Sequence, residues 1–405
     1  MSVLSGSIPP RDDNPLRLLL AIDSLEMGGA ERHVTEVAVA LARRGHAVTV
    51  ACSASGILAD RLRQASVDIR VASTRRVKRE VSRQYATGLR RVLRHSRYDV
   101  VHAHLFASAA AAAMAVRDAP LLVTEHSQGA WRSDTERAIS RQYLLRADSV
   151  VAVSGDVGRE IRALGAQRRK VVELPNAVPR LPPAPPARRG SDVPVIGFVG
   201  RLCEEKGADI FVEVAASIAS RRPDARFLMV GDGPLRKQLE ARARQWGIDR
   251  RLLFTGELAD ARPMLGQIDV LLVPSRTEGA PLVVLEAVAA GTAIVASQVG
   301  GIPEQMRDGD DGLLCRPGDI GGFAAAVNLL LEDPDLRGRL VIGGRTREEH
   351  RSFEEMVGRL EAMYRAAMLQ GRRAGSNGRR IALRSAGALT PSMLGGMVSV
   401  PIFQE

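Results

Sequence analysis

The sequence predicts an α/β protein of two doubly wound, parallel-sheet domains facing each other across a cleft. Short continuous apolar runs alternate with amphipathic ones from residue 16 onward, the pattern of a sheet covered by helices on both faces. A proline-rich stretch breaks the alternation once, and a second series starts directly after it. With 405 residues, 45% hydrophobic and 25% charged, the chain has globular composition and length for two or three domains.

Residues 1–14 form a tail that lacks the basic and apolar regions of a secretory peptide. In the first domain, 15–178, the run 16–22 reads as a buried strand. Residues 30–44 read as a helix with Val34, Val37, Ala38 and Leu41 on one face, ended by Gly45. Strands follow at 47–52, 100–104, 121–124, 150–154 and 171–174, and the apolar run 106–116 is too short to cross a bilayer. Residues 179–192, PRLPPAPPARRGSD, are expected to be a semi-rigid linker, because proline propagates neither helix nor sheet. The second domain, 193–350, has strands at 195–199, 227–230, 252–254, 270–273 and 294–296. Within 351–370, helical spacing of Phe353, Met356, Val357, Leu360, Met363 and Tyr364 gives a helix an apolar face to bury. Residues 371–405, first basic and then uncharged, are interrupted by Pro391, Gly395, Gly396 and Pro401 and read as a disordered tail.

A net charge of +11 points to an anionic partner such as nucleotide phosphate or an anionic membrane. Aromatic content of only 3% disfavours nucleic acid, whose single strands need stacking faces. Cys52, Cys203 and Cys315 are too few and too scattered for a disulfide framework or a zinc site, and the chain reads as cytoplasmic. Between Asp60 and Asp99, twelve basic residues stand against four acidic ones, a local charge of +8.

Chemistry concentrates in three βα turns. In SRTEGAPLVVLEA, a strand ends in Pro274 and a glycine-containing turn opens a helix near Leu282, presenting free amides and a positive dipole end. Glu278 precedes that turn and Glu286 lies two helical turns on, so that one could grip a diol of a sugar and the other a diol of a ribose. In GFVGRLCEEKG, Arg201 offers a planar fork and Lys206 a mobile ammonium, suited to charge developing on a diphosphate. In MGGAERH, Gly28 and Gly29 allow close approach of an anion to the helix starting at Ala30.

His126 lies at the carboxyl end of its strand and is expected to face the cleft, within reach of a sugar hydroxyl. His102 and His104 in VVHAH are expected to point to opposite faces, which disfavours shared metal ligation. Asp308, Asp310 and Asp311 are interspersed with Gly309 and Gly312 and read as a tight turn, with no bidentate Glu at calcium-loop spacing.

These motifs resemble the retaining glycosyltransferases of family 4. The resemblance covers roughly residues 16–369 and rests on E-x7-E from Glu278 to Glu286 and G-R-L-x-x-x-K-G from Gly200 to Gly207, supported by GGAER (28–32) and GGIPE (300–304). It implies the GT-B fold of two Rossmann-like domains, with a C-terminal helix returning to the first, acceptor-binding domain. It further implies a nucleotide-diphosphate sugar donor, with Arg201 and Lys206 on the diphosphate. Glu278 and the turn Gly279, Ala280, Pro281 and Leu282 would hold the sugar. Glu286 would hold the ribose, Gly256 to Leu258 the base, and Gly28 and Gly29 the phosphates. His126 would contact the donor sugar near its C6 hydroxyl, joining Glu278, Arg201 and Lys206 as the catalytic set. Retention without metal or cofactor, by front-face displacement onto a glycan or lipid-linked acceptor in cell-envelope or exopolysaccharide synthesis, follows from the same resemblance. The basic stretch from Asp60 to Asp99, which the resemblance places in the acceptor domain, adds the expectation of a peripheral contact with the inner face of the membrane. Two features depart from the family pattern: Ala280 where a bulky residue is frequent, and Pro175-Asn176-Ala177-Val178-Pro179 where P-N-G-V-D is usual. A nucleotide-sugar epimerase of the same fold and a non-catalytic basic nucleic-acid-binding protein are the alternatives.

Overall fold

The computed structural model describes residues 14–179, 193–258, 260–348 and 352–376. The linker from 180 to 192, and the terminal segments before 14 and after 376, lie outside the described residues. The first sheet contains β1 (Arg17–Ser24), β2 (Ala47–Ala54), β3 (Asp68–Val71), β4 (Val100–His104), β5 (Leu121–Glu125), β6 (Ser149–Ala152) and β7 (Val171–Glu173). Its order is β3-β2-β1-β4-β5-β6-β7. The second holds β8 (Val195–Val199), β9 (Arg226–Val230), β10 (Leu252–Gly256), β11 (Val270–Val273), β12 (Ala293–Ser297) and β13 (Leu313–Cys315). It runs β10-β9-β8-β11-β12-β13. All the strand pairs are parallel.

Continuous apolar strands are explained by burial on both faces. Leu18, Leu20 and Ile22 of β1 pack with Val34, Val37, Ala38 and Leu41 of the helix Gly29–Arg43. Leu19 and Ala21 point the other way, against the alanine-rich helix Phe106–Ala115, whose small side chains let it lie close to the sheet. Edge strands β3 and β13 escaped the sequence reading. The side chains of DIRV are mostly exposed and β13 is three residues long, so neither carries the buried apolar run that marks the central strands.

The helix Phe353–Ser376 crosses back and buries Phe353, Met356, Val357, Leu360 and Tyr364 in the first domain's core. Removing the first four from water contributes at most roughly 6–12 kcal/mol, enough to tie this segment to the first domain. Among the described residues no helix is long and apolar enough to cross a membrane.

Candidate functional site

Strand order reverses between β1 and β4 in one sheet and between β8 and β11 in the other. Crevices open beyond the carboxyl ends of strands at such reversals. Chain segments leaving those ends carry Gly28 and Gly29 after β1, His104 at the end of β4, Arg201 after β8 and Glu278 after β11. His126 follows β5 directly.

Glu278 is buried, and both its carboxylate oxygens accept from Lys206 Nζ at 2.7 Å. Ser275 Oγ donates to Oε1 at 2.8 Å. Lys206 reaches this point because Gly207 turns the chain with φ +66°, where a Cβ would collide with the Pro274 carbonyl. The turn is held from behind by Arg276, which grips Asp209 through two bonds of 2.7–2.8 Å and donates to the Glu204 carbonyl at 2.8 Å. A rigid carboxylate with an ammonium beside it can order sugar hydroxyls and face a phosphate. Arg201 is exposed and makes no ion pair among the described residues, leaving its guanidinium available to an anion.

Glu286 is buried on the helix Leu282–Ala290, and its Oε1 lies 2.8 Å from Arg32 Nη2 of the first domain. Burial raises the Glu286 pKa, while Arg32 and Arg262 act to lower it. Arg262 is itself clamped by Asp260 at 2.7 Å. Arg32 of the GGAER motif carries no local sign of its role, because its partner lies 254 residues away. Gly28 and Gly29 stand at the start of the helix Gly29–Arg43, as expected. However, the Glu31 carboxylate folds over Gly28, putting an acidic group at the helix end assigned to phosphate. Burial raises the Glu31 pKa, and it pushes that of nearby Asp23 up to about 7 against hydrogen bonds from Ser108.

The glycine turn after Glu278 docks on the first domain. A Cβ on Gly279 would strike the His126 carbonyl. The Gly279 carbonyl accepts from Ser154 Oγ at 2.9 Å and that of Ala280 from Asn176 Nδ2 at 2.8 Å. Ala280 is packed within the first domain's core cluster, which explains the small residue at this position. Pro281 and Leu282 lead into the helix. Glu304, from the GGIPE motif, accepts from the amides of Gly155 and Asp156 at 2.7 and 2.9 Å, capping a first-domain helix from the second domain. Gly256 (φ +76°) ends β10 beside Gly231, and Leu258 packs on the second domain's core.

The histidines correct one expectation. His102 and His104 share a face of β4, with ring centroids 4.0 Å apart, because residues two apart on a strand point the same way. His102 bonds Tyr364 Oη at 2.8 Å and Thr124 Oγ1 at 2.7 Å, while His104 Nδ1 lies 3.0 Å from His126 Nε2. His33 packs edge-on against His126, 5.4 Å between centroids. Burial holds all four pKa values below the ordinary imidazole range. In the acidic turn, Asp308 accepts from the Leu314 amide, and Asp311 accepts from the Arg307 amide and pairs with Arg347. Within the basic segment, Arg75 pairs with Glu80, Arg76 with Glu26 and Arg79 with Glu205 across the cleft, so those three charges are already engaged.

Two family models match, one to each sheet region. Residues 27–180 fit the model described as Glycosyltransferase Family 4, and residues 193–333 that described as Glycosyl transferases group 1. The D-inositol 3-phosphate glycosyltransferase of Acidothermus cellulolyticus is 31% identical over 314 residues, covering 68% of this chain and 69% of that protein. Glycogen synthase of Mycobacterium tuberculosis is 34% identical over 255 residues, 59% of this chain. That match spans 61% of the synthase. The 2-deoxystreptamine glucosyltransferase of Streptomyces kanamyceticus is 36% identical over 49% of this chain and 54% of its own. Among solved structures, Anabaena Alr3699/HepE in complex with UDP-glucose superposes with a TM-score of 0.76 at 20% identity, covering 87% of this chain and 100% of that one. Sucrose-phosphate synthase from Thermosynechococcus elongatus gives 0.74 at 20% identity, covering 88% and 100%. At that identity the structures establish the shared two-domain GT-B fold alone. With both sheet regions matched and a relative above 30% identity spanned over more than two thirds of its length, the chain belongs to the group 1, family 4 glycosyltransferases.

Proposed function

We propose that this protein transfers a glycosyl group, with retention and without a metal ion, from a nucleoside-diphosphate sugar to a glycan or lipid-linked acceptor in envelope or exopolysaccharide synthesis. The observation that carries the reading is the Lys206–Glu278 pair beyond the carboxyl ends of β8 and β11, with Arg201 on the same turn as Lys206 and Glu286 meeting Arg32 of the first domain. Arg201 and Lys206 would take the diphosphate, Glu278 and the turn amides the sugar, and Glu286 the ribose in exchange for Arg32. In the reaction, the bond from sugar C1 to the diphosphate oxygen breaks and the acceptor oxygen bonds C1 on the same face. The acceptor proton passes to the departing phosphate oxygen. Arg201 and Lys206 would stabilise the charge gathering there.

A lipid-linked acceptor at the inner face of a membrane is supported by the helix Arg83–His95. It contains no acidic residue and exposes Arg83, Arg91 and Arg94. Each basic residue near an anionic leaflet contributes about 1 kcal/mol. Incubating the protein with UDP-, GDP- and ADP-sugars tests the main reading, with released nucleotide and the anomeric configuration of the product followed by NMR. Turnover of one donor with retained configuration is expected. Inversion, an epimerised free donor, or loss of activity to chelators that is restored by metal would overturn it.

A further inference from the structure

We propose that His104 fixes the tautomer of His126, so that His126 offers an Nδ1–H donor to a hydroxyl oxygen of the sugar bound in the cleft. The inference rests on the donor site proposed above for its ligand, but not for its structural part.

The two rings meet through His104 Nδ1 and His126 Nε2 at 3.0 Å, so one nitrogen must carry the proton and the other must accept it. His104 Nε2 is buried and has no partner. If His126 donated, the single proton of a neutral His104 would sit on Nε2 as an orphaned buried N–H. If His104 donates, its Nε2 is only a bare lone pair. Buried orphan donors are rarer in folded proteins than under-satisfied acceptors, and each costs its desolvation. The second arrangement therefore prevails, and the proton of His126 falls on Nδ1.

The neighbours reinforce this choice. His102, stacked on His104, commits both nitrogens to Tyr364 and Thr124 and has none left for it. A doubly protonated His104 is disfavoured by burial beside His33, His102 and His126. His126 Nδ1 has no partner among the described residues and is not among the fully buried atoms, and the His126 backbone adjoins Gly279 in the turn after Glu278. His104 is thus a positioning residue, and Tyr364 of the returning helix anchors the ring stacked behind it.

Long-range nitrogen–proton correlation on the full chain at pH 7.5 reads the tautomer directly, with His126 assigned from a His126→Gln spectrum. The expected wild-type pattern is Nδ1–H. His104→Ala removes the donor and leaves room for a water that can accept from Nε2, which should move His126 toward Nε2–H, while His104→Asn keeps an amide donor near the Nδ1 position and should restore Nδ1–H. With whichever nucleotide sugar the protein turns over, kcat/KM should fall roughly ten-fold in His104→Ala, the worth of one hydrogen bond, and recover largely in His104→Asn. A wild-type His126 protonated on Nε2 overturns the proposal, and needs no variant to fold. A wild-type Nδ1–H tautomer with undiminished turnover in His104→Ala overturns its substrate part. A wild type that turns over no nucleotide sugar refutes the functional reading instead and leaves the tautomer to the spectrum.

Discussion

Arg32→Ala removes the guanidinium that lies 2.8 Å from Glu286, whose side chain keeps only 5% of its exposure. Removing one partner of a buried ion pair costs about 3–5 kcal/mol, because the remaining charge is left uncompensated. The lower end, about 3 kcal/mol, is expected here, since Arg262 also acts on Glu286 and opening of the cleft would let water reach it. At roughly 2–4 °C per kcal/mol for a domain of this size, the second domain should melt about 6–12 °C lower. The pH dependence has a definite sign. The folded-state pKa of Glu286 is already raised above its reference of 4.5, and it rises further without Arg32. Protonated Glu286 is therefore the form that folding favours, and stability is lost as pH climbs through the folded pKa. The deficit should be large at pH 8 and shrink toward pH 5, and adding Glu286→Gln to Arg32→Ala should recover much of it. Scanning calorimetry on both variants at the two pH values is the assay. An unchanged melting temperature at pH 8, or a deficit equal at both pH values, would refute the reasoning.

Gly279→Ala should weaken nucleotide-sugar affinity at least ten-fold with little change in melting temperature. Its Cβ collides with the His126 carbonyl only when the two domains are apposed; unchanged affinity by calorimetry would show that the turn docks elsewhere in solution. Arg201→Ala should weaken nucleoside diphosphate by roughly ten-fold or more while leaving the nucleoside unaffected, since an exposed guanidinium contributes through charge-assisted bonds to phosphate. Equal losses for both ligands would place the diphosphate elsewhere. Sedimentation with anionic vesicles should fall in Arg83→Ser/Arg91→Ser/Arg94→Ser and in 1 M salt, where the Debye length is about 3 Å; binding insensitive to both would exclude this helix as the contact.

The alternation of apolar strands and amphipathic helices determined the two-sheet architecture. A strand buried on both faces is mostly apolar, and such a run is legible residue by residue, as in residues 18–22 of β1, in β8 and in β11. Turn chemistry likewise placed Glu278, Lys206 and Arg201 at strand ends, because glycine and the start of a helix leave a local signature. Period alone should also have put His102 and His104 on one face of β4, which the structure corrects. Only the tertiary structure decided the partners. Arg32 meets Glu286, Arg79 meets Glu205, Glu304 caps a helix of the other domain, and Tyr364 reaches His102 across 262 positions. These contacts are set by how two domains and a returning helix pack, and no local periodicity encodes the distance between residues that the chain separates by hundreds of positions. The same holds for the small Ala280 and the buried His104, whose meaning comes from the neighbours that folding brings to them.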